Sequence, residues 1–253
     1  MTETPKAPAA PRPAATVLLV RDDPFEVLMV RRHAAATFAS ALVFPGGVVD
    51  DEDWHDDWLP LLRGHDGLSD HERAHRIAAA RETWEEASIL LVTGGDGTCP
   101  LPPDRPHGSL FREVVRASGG HLDLRAIAPF GHWITPVDAP KRFDTRFYLA
   151  HIGRDQEARC DGSETVELEW IAPHEALERA RRGDAGIMFP TKLSLLRLTE
   201  TPDPRAAFEA ALGRQIVPLT PVVSSRDGGT VVAIPRDAGY AEWEEFSPRP
   251  PLR

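Results

Sequence analysis

The chain of 253 residues contains only two cysteines, Cys99 and Cys160. So few thiols, so far apart, supply no disulfide framework, which reads as a reduced, cytoplasmic protein. Long apolar runs are also missing, and none approaches the roughly 18 residues of a membrane span. The opening segment, MTETPKAPAAPRP, has no apolar core. It is neither a signal peptide nor an anchor, and its Pro/Ala character predicts a flexible tail over residues 1–13. Positive charge is scarce as well. With 29 Lys plus Arg against 39 Asp plus Glu the net charge is −10, which argues against non-specific nucleic-acid or anionic-membrane binding, since both need a cationic surface. Small phosphorylated ligands stay allowed, because a substrate that brings divalent cations can approach acidic side chains.

What is present is the composition of a folded domain, 42% hydrophobic and 27% charged. Pro and Gly together stay below the roughly 25–30% of low-complexity chains. The length suffices to bury a core without disulfides, and no internal repeat or linker interrupts it. A single domain over residues 14–253 is expected, with a core to about residue 185 and a C-terminal extension beyond about residue 186.

Two β-type runs, Ala15 to Val20 and Glu26 to Arg31, flank Arg21-Asp22-Asp23-Pro24 and predict a hairpin. A third run, Ala41 to Phe44, stops at Pro45-Gly46-Gly47, which reads as a turn where no side chain blocks close approach to a ligand. Ser69 with Glu72 fits a capping box and opens a helix over about Asp70 to Ser88. Further helices are expected over Leu110–Ala117, Pro173–Arg182, Thr191–Leu198 and Pro204–Leu212. Strands are expected over Ile89–Val92, Ile127–Thr135, Arg142–His151, Val166–Ile171, Ile216–Val223 and Thr230–Ile234, and Thr93–Pro106 reads as a Gly/Pro-rich connection.

The long helix carries the chemistry. At about 100° per residue, Glu85, Glu82 and Glu86 fall on one arc beside Arg81, while Ile77, Ala80, Trp84 and Ala87 share an apolar face. Like charges at i,i+4 repel, and a divalent cation reverses that penalty. Hard cations such as Mg²⁺ prefer oxygen ligands and bridge carboxylates to substrate phosphates. The glycine turn at Phe44-Pro45-Gly46-Gly47 can bring backbone groups to the same metal and phosphate.

These residues resemble the signature of the Nudix hydrolases, a glycine, five residues, Glu, seven residues, then R-E-U-x-E-E-x-G-U with U bulky and apolar. Gly47 matches the first glycine, Arg81-Glu82-x-x-Glu85-Glu86 the second half and Ile89 the last apolar position. Asp53 stands where the family has Glu, Thr83 replaces the first U, and Ser88 replaces the closing glycine. Arg81 lies 28 positions after Asp53 instead of eight, so a segment over about residues 54–73 is inserted within the box. The insertion resembles a branch that includes coenzyme A diphosphatases. His132-Trp133-Ile134-Thr135-Pro136, Arg142-Phe143-Asp144-Thr145-Arg146-Phe147 and Glu167-x-x-Trp170-x-x-Pro173 resemble that branch too.

The resemblance implies an α/β/α sandwich with a mixed central sheet and Mg²⁺- or Mn²⁺-dependent hydrolysis of a diphosphate in a nucleotide-type small molecule, coenzyme A or its acyl esters leading. It implies Glu82, Glu85 and Glu86 as metal ligands with Gly46 beside them, Arg81 as the residue that holds the carboxylates, and Glu82 or Glu164 as general base. Arg31, Gly47, Arg142 and Arg146 are the expected substrate contacts. The upstream motif of coenzyme A diphosphatases keeps only its two ends, with Ala36 and Ser40 where Arg and Gly would stand, so one bidentate phosphate contact is missing. Two other readings compete. His71-Glu72-Arg73-Ala74-His75 spells H-E-x-x-H, a zinc-protease pattern that lacks a third ligand in recognisable context. A Nudix-fold module that binds a nucleotide without cleaving it is the other, and four charged residues on one helix argue against it. The extension either covers the sheet or builds a homodimer, and the insertion is expected to shape the rim of the pocket.

Overall fold

The computed structural model describes residues 9–32, 41–94, 111–160 and 165–248. Residues 1–8 of the expected tail, Ala36, Ser40, Cys99, most of the 93–106 connection and Glu164 lie outside the described residues. The chain runs β1 (Arg12–Arg21), β2 (Glu26–Arg32), β3 (Ala41–Val43), β4 (Gly46–Val48), two short 3₁₀ turns (Asp51–Trp54 and Asp56–Leu61), β5 (Leu62–Arg63), α1 (Asp70–Ala87), α2 (Phe111–Ala117) and β6 (Leu122–Asp123). It continues through β7 (Ala128–Ile134), β8 (Phe143–His151), β9 (Thr165–Ile171), α3 (Pro173–Arg182), β10 (Gly186–Ile187), α4 (Phe189–Leu198), α5 (Pro204–Leu212), β11 (Val222–Arg226), β12 (Gly229–Ala233) and β13 (Glu244–Ser247).

An eight-stranded mixed sheet forms the middle layer in the order β10-β3-β2-β1-β8-β7, with β4 added beside β1 and β9 beside β2. β1 is parallel to β8 over nine residue pairs, and parallel strands at the centre of a sheet are buried on both faces. The apolar run Val17-Leu18-Leu19-Val20 follows: all four are 0% exposed, and they alternate between two cores. Val17 and Leu19 face α1 and α2. Leu18 and Val20 face the opposite layer, where Leu193, Leu195 and Leu198 of α4 and Ala207 and Ala211 of α5 are buried. The C-terminal extension therefore covers the second face of the sheet. At about 1.5–3 kcal/mol per buried Leu, the three α4 leucines make that cover a substantial part of stability. No described helix is long and apolar enough to cross a membrane.

Four local expectations change. β1 begins at Arg12, two residues inside the expected tail, because Arg12 and Pro13 pair with Phe143 and Asp144. Pro45-Gly46-Gly47 is not a free turn: Gly46 and Gly47 lie in β4 opposite Thr16 and Ala15. Ile89–Val92 forms no strand; Ile89 anchors in the core and, among the described residues, the pairing next to it is the Thr93–His121 bridge. The 216–223 strand starts only at Val222, since Pro218 and Pro221 remove backbone donors; Leu219 instead bridges to the β7 edge, donating to the His132 carbonyl and accepting from the Ile134 amide. The polar stretch Glu244–Ser247, which has no alternating pattern, is recruited as the edge of a small sheet, β11-β12-β13.

The insertion is more than a rim. Trp58 is 1% exposed, its ring centroid lies 5.6 Å from that of Phe111, and its indole N–H donates to the Glu52 carbonyl at 3.0 Å. Phe111 also meets Trp84 of α1 at 6.0 Å. The inserted chain thus closes the outer side of the α1 layer and loops back so that Asp53 and Arg81 meet.

Candidate active site

α1 starts at Ser69, whose hydroxyl accepts the Glu72 amide at 3.2 Å, and ends at Ser88 in the left-handed conformation, φ 59°. Ile77, Ala80, Trp84 and Ala87 are buried as the helical spacing predicts. Two carboxylates of the acidic arc, Glu82 and Glu86, are withdrawn from solvent. Glu86 is 7% exposed and accepts the Gly46 amide through Oε2 at 3.0 Å. Glu82 presses against Gly47 so closely that a Cβ there would stand 2.4 Å from Glu82 Oε1. A side chain at 47 would displace the Glu82 carboxylate from its place, and Gly46 reaches the cluster through its amide.

Arg81 organises the acidic groups. Its guanidinium donates to Asp53 (Nη2–Oδ2 2.9 Å), to the Val48 carbonyl (2.8 Å), to Glu82 Oε1 (2.8 Å) and to Glu85 Oε2 (2.9 Å). Asp53 is 1% exposed and also accepts the Asp50 amide, so the carboxylate read as the substitute for the family's first Glu occupies the centre of the network. Burial pushes Glu82 up to about 8; Glu86 and Glu85 add to the rise and Arg81 opposes it. Burial raises Glu85 and Asp53 as well, again against Arg81. Crowded, partly desolvated carboxylates of this kind are the environment that a cation relieves.

The donor set fits a hard divalent ion. Glu82 and Glu86 sit under β4 with oxygen donors only, and Mg²⁺ typically takes one or two carboxylates and completes its shell with water and phosphate. Among the described residues no three His, Cys, Asp or Glu side chains converge as a ready ligand cage. Glu85 is turned toward Arg81, and its side chain is 43% exposed.

The expected substrate contacts separate into two groups. Gly47 abuts Glu82, and Arg146 faces α1, where it pairs with Glu72. Arg31 pairs with Glu167 across β2 and β9 at 2.8 Å. Arg142 donates to the carbonyls of Thr135 and Ala9 and closes the β7–β8 turn. In this structure those two guanidiniums lie against the sheet and the β7–β8 turn, apart from the carboxylates of α1. The H-E-x-x-H pattern fails on geometry. Glu72 holds Arg76 and Arg146, and among the described residues no third His, Cys, Asp or Glu joins the two histidines as a metal cage. What sequence reasoning missed is the charged surrounding of Glu72, because Arg76, Arg146 and Arg214 are far apart in the chain.

A family model described as the NUDT19 Nudix domain matches residues 65–198. A Caenorhabditis elegans protein named nudix hydrolase 7 is 31% identical over 76% of this chain, which spans 62% of that relative's length. The human acyl-coenzyme A diphosphatase NUDT19 is 27% identical over 96% of this chain and 78% of its own. The crystal structure of a Nudix hydrolase from Alicyclobacillus acidocaldarius superimposes with a TM-score of 0.69 at 30% identity, covering 79% of this chain and 96% of that one.

Proposed function

The chain belongs to the Nudix hydrolase family, and from that premise we propose that it is a Mg²⁺- or Mn²⁺-dependent diphosphatase acting on a nucleoside-diphosphate-linked small molecule, with coenzyme A or an acyl-coenzyme A as the leading substrate. The observation that carries this reading is the packing of Glu82 and Glu86 against Gly47 and Gly46, with Arg81 and Asp53 fixing the carboxylates from behind. The coenzyme A assignment is supported by the name of the human relative and by the inserted segment within the box.

Glu82 and Glu86 would hold the cation, with Glu85 as a third candidate. When bound, such an ion neutralises the diphosphate and lowers the pKa of a water. Arg81 keeps Glu82 and Glu85 oriented and reads no substrate, since its donors are already committed to the protein. The glycine strand lets a diphosphate approach the carboxylates with no side chain in the way. The proton of the attacking water passes to a carboxylate. Glu82 is the candidate at the cluster, and Glu164 is the candidate in the loop after Arg159, whose amide is tied to the Ala87 carbonyl at the end of α1.

The test is product analysis with Mg²⁺ or Mn²⁺ on coenzyme A, acyl-coenzyme A, ADP-ribose, NADH and dinucleoside polyphosphates, beside the Glu86→Gln variant. Cleavage of one class, lost in the variant, is expected. Silence on every compound from folded, metal-loaded protein would replace this reading by a nucleotide-binding module.

A further inference from the structure

A cleft of about 510 Å³ opens at the other end of α1 from the carboxylates. Six side chains give it its character: Glu72 and Arg76 of α1, His132 of β7, Arg146 and Tyr148 of β8, and Arg214 from the C-terminal extension. Arg76, Arg146 and Arg214 line it, the first two paired with Glu72 and the third 3.5 Å from Glu200 at the edge. Glu72 places one oxygen on Arg76 Nε at 2.9 Å and the other on Arg146, so it neutralises part of the positive charge and holds the two guanidiniums apart at fixed positions. His132 is held by Asp144. Tyr148 is 1% exposed, and its hydroxyl completes no hydrogen bond among the described residues although Arg146 is beside it. Burial raises its pKa, which keeps it a protonated donor. A buried hydroxyl beside arginine guanidiniums can donate to an anion that those guanidiniums attract.

The strand register fixes where this cleft lies. Gly47 pairs with Ala15, Ala15 with Arg146 and Arg146 with His132, one row across the sheet. With strands about 4.8 Å apart, Arg146 stands about 10 Å from Gly47. Along α1, Glu72 and Glu82 are separated by about 15 Å, from the 1.5 Å rise per residue. Both sites face the same side of the sheet, within the span of one nucleotide-sized molecule.

We propose that this cleft is a second anion subsite, which receives a phosphate monoester carried by the substrate away from the diphosphate that is cleaved. In coenzyme A that group is the ribose 3′-phosphate. The assignment rests on the reading of the carboxylate cluster as the cleavage site, and it makes the C-terminal extension, through Arg214, part of substrate selection.

The test separates binding from cleavage. Titration of the full chain with adenosine 3′,5′-bisphosphate against AMP is expected to show about tenfold tighter binding of the bisphosphate, the scale of one charge-assisted phosphate contact. Arg214→Gln and Tyr148→Phe should remove most of that preference, and Arg205→Gln, exposed on α5, should not. In turnover, the ratio of kcat/KM for coenzyme A over dephospho-coenzyme A should fall toward one in Arg214→Gln, chiefly through KM. Equal affinity for the two nucleotides, or a preference untouched by Arg214→Gln and Tyr148→Phe in folded protein, overturns the subsite. A retained bisphosphate preference in a protein that cleaves no diphosphate leaves the subsite standing and overturns the cleavage reading alone.

Discussion

The two ends of α1 are electrostatic inverses built on one helix. Toward its C-terminus a single arginine, Arg81, is surrounded by Asp53, Glu82 and Glu85, with Glu86 alongside. Toward its N-terminus, on the side that meets β8, Glu72 is gripped by Arg76 and Arg146. In each cluster the minority charge acts as a brace: it satisfies part of the majority and fixes its geometry, leaving an excess of one sign at the surface of the fold. One end is suited to a cation and the other to an anion. A substrate that carries a metal-bound diphosphate and a further phosphate would need both, arranged along one line.

Breaking the acidic end should have the largest effect. Glu86→Gln removes one negative charge while it keeps the shape and the acceptor for the Gly46 amide. Turnover is expected to fall about a thousandfold, equivalent to about 4 kcal/mol in the barrier, with a thermal midpoint within a few degrees of wild type. Comparable turnover in the variant would remove Glu86 from the metal site. Removing the brace itself acts on stability instead. Asp53→Ala strips a buried guanidinium of its best-placed partner, and denaturant unfolding should show a loss of about 3 kcal/mol. A loss below about 1 kcal/mol would mean that Glu82 and Glu85 satisfy Arg81 by themselves.

The two ends also differ in how far the sequence discloses them. Arg81, Glu82, Glu85 and Glu86 lie within six consecutive positions, so helical geometry alone gathers them, and Gly46-Gly47 announces a close approach. Asp53 was legible only through resemblance, because the inserted residues separate in sequence what Trp58 and Phe111 bring together in space. The arginine end was not legible as a site. Arg76, Arg146 and Arg214 come from a helix, a strand and the extension, and only the pairing of β8 with β1 and of the Leu219 segment with β7 assembles them. Glu72 shows the same limit on a smaller scale. The capping box predicts its side chain over the Ser69 amide; the serine half forms, but the Glu72 carboxylate goes to two guanidiniums, which offer stronger charge-assisted bonds. Secondary structure follows this division as well. The apolar runs of β1, β2 and β8 form strands where expected, whereas the apolar Ile89–Val92 forms none and the polar β13 arises by pairing with β12.

The smallest expected effects concern the two serines that end α1, which should respond in opposite directions. Ser69 has extended backbone and works through its side chain, which accepts the Glu72 amide. Ser69→Ala leaves that amide without its cap and should cost about 1 kcal/mol. Ser88 works through its backbone: its amide donates to the Trp84 carbonyl, and it holds the left-handed conformation that ends the helix, which costs an L-residue about 1 kcal/mol and glycine almost nothing. Its hydroxyl recovers part of that by donating to the Arg159 carbonyl at 3.1 Å. Ser88→Gly removes the strain, loses that bond and adds freedom to the unfolded chain, so a net gain of only about 0.5 kcal/mol in chemical denaturation is expected. A destabilised Ser88→Gly would mean that the tie to Arg159, and with it the anchoring of the loop that leads to Glu164, outweighs backbone strain at this position.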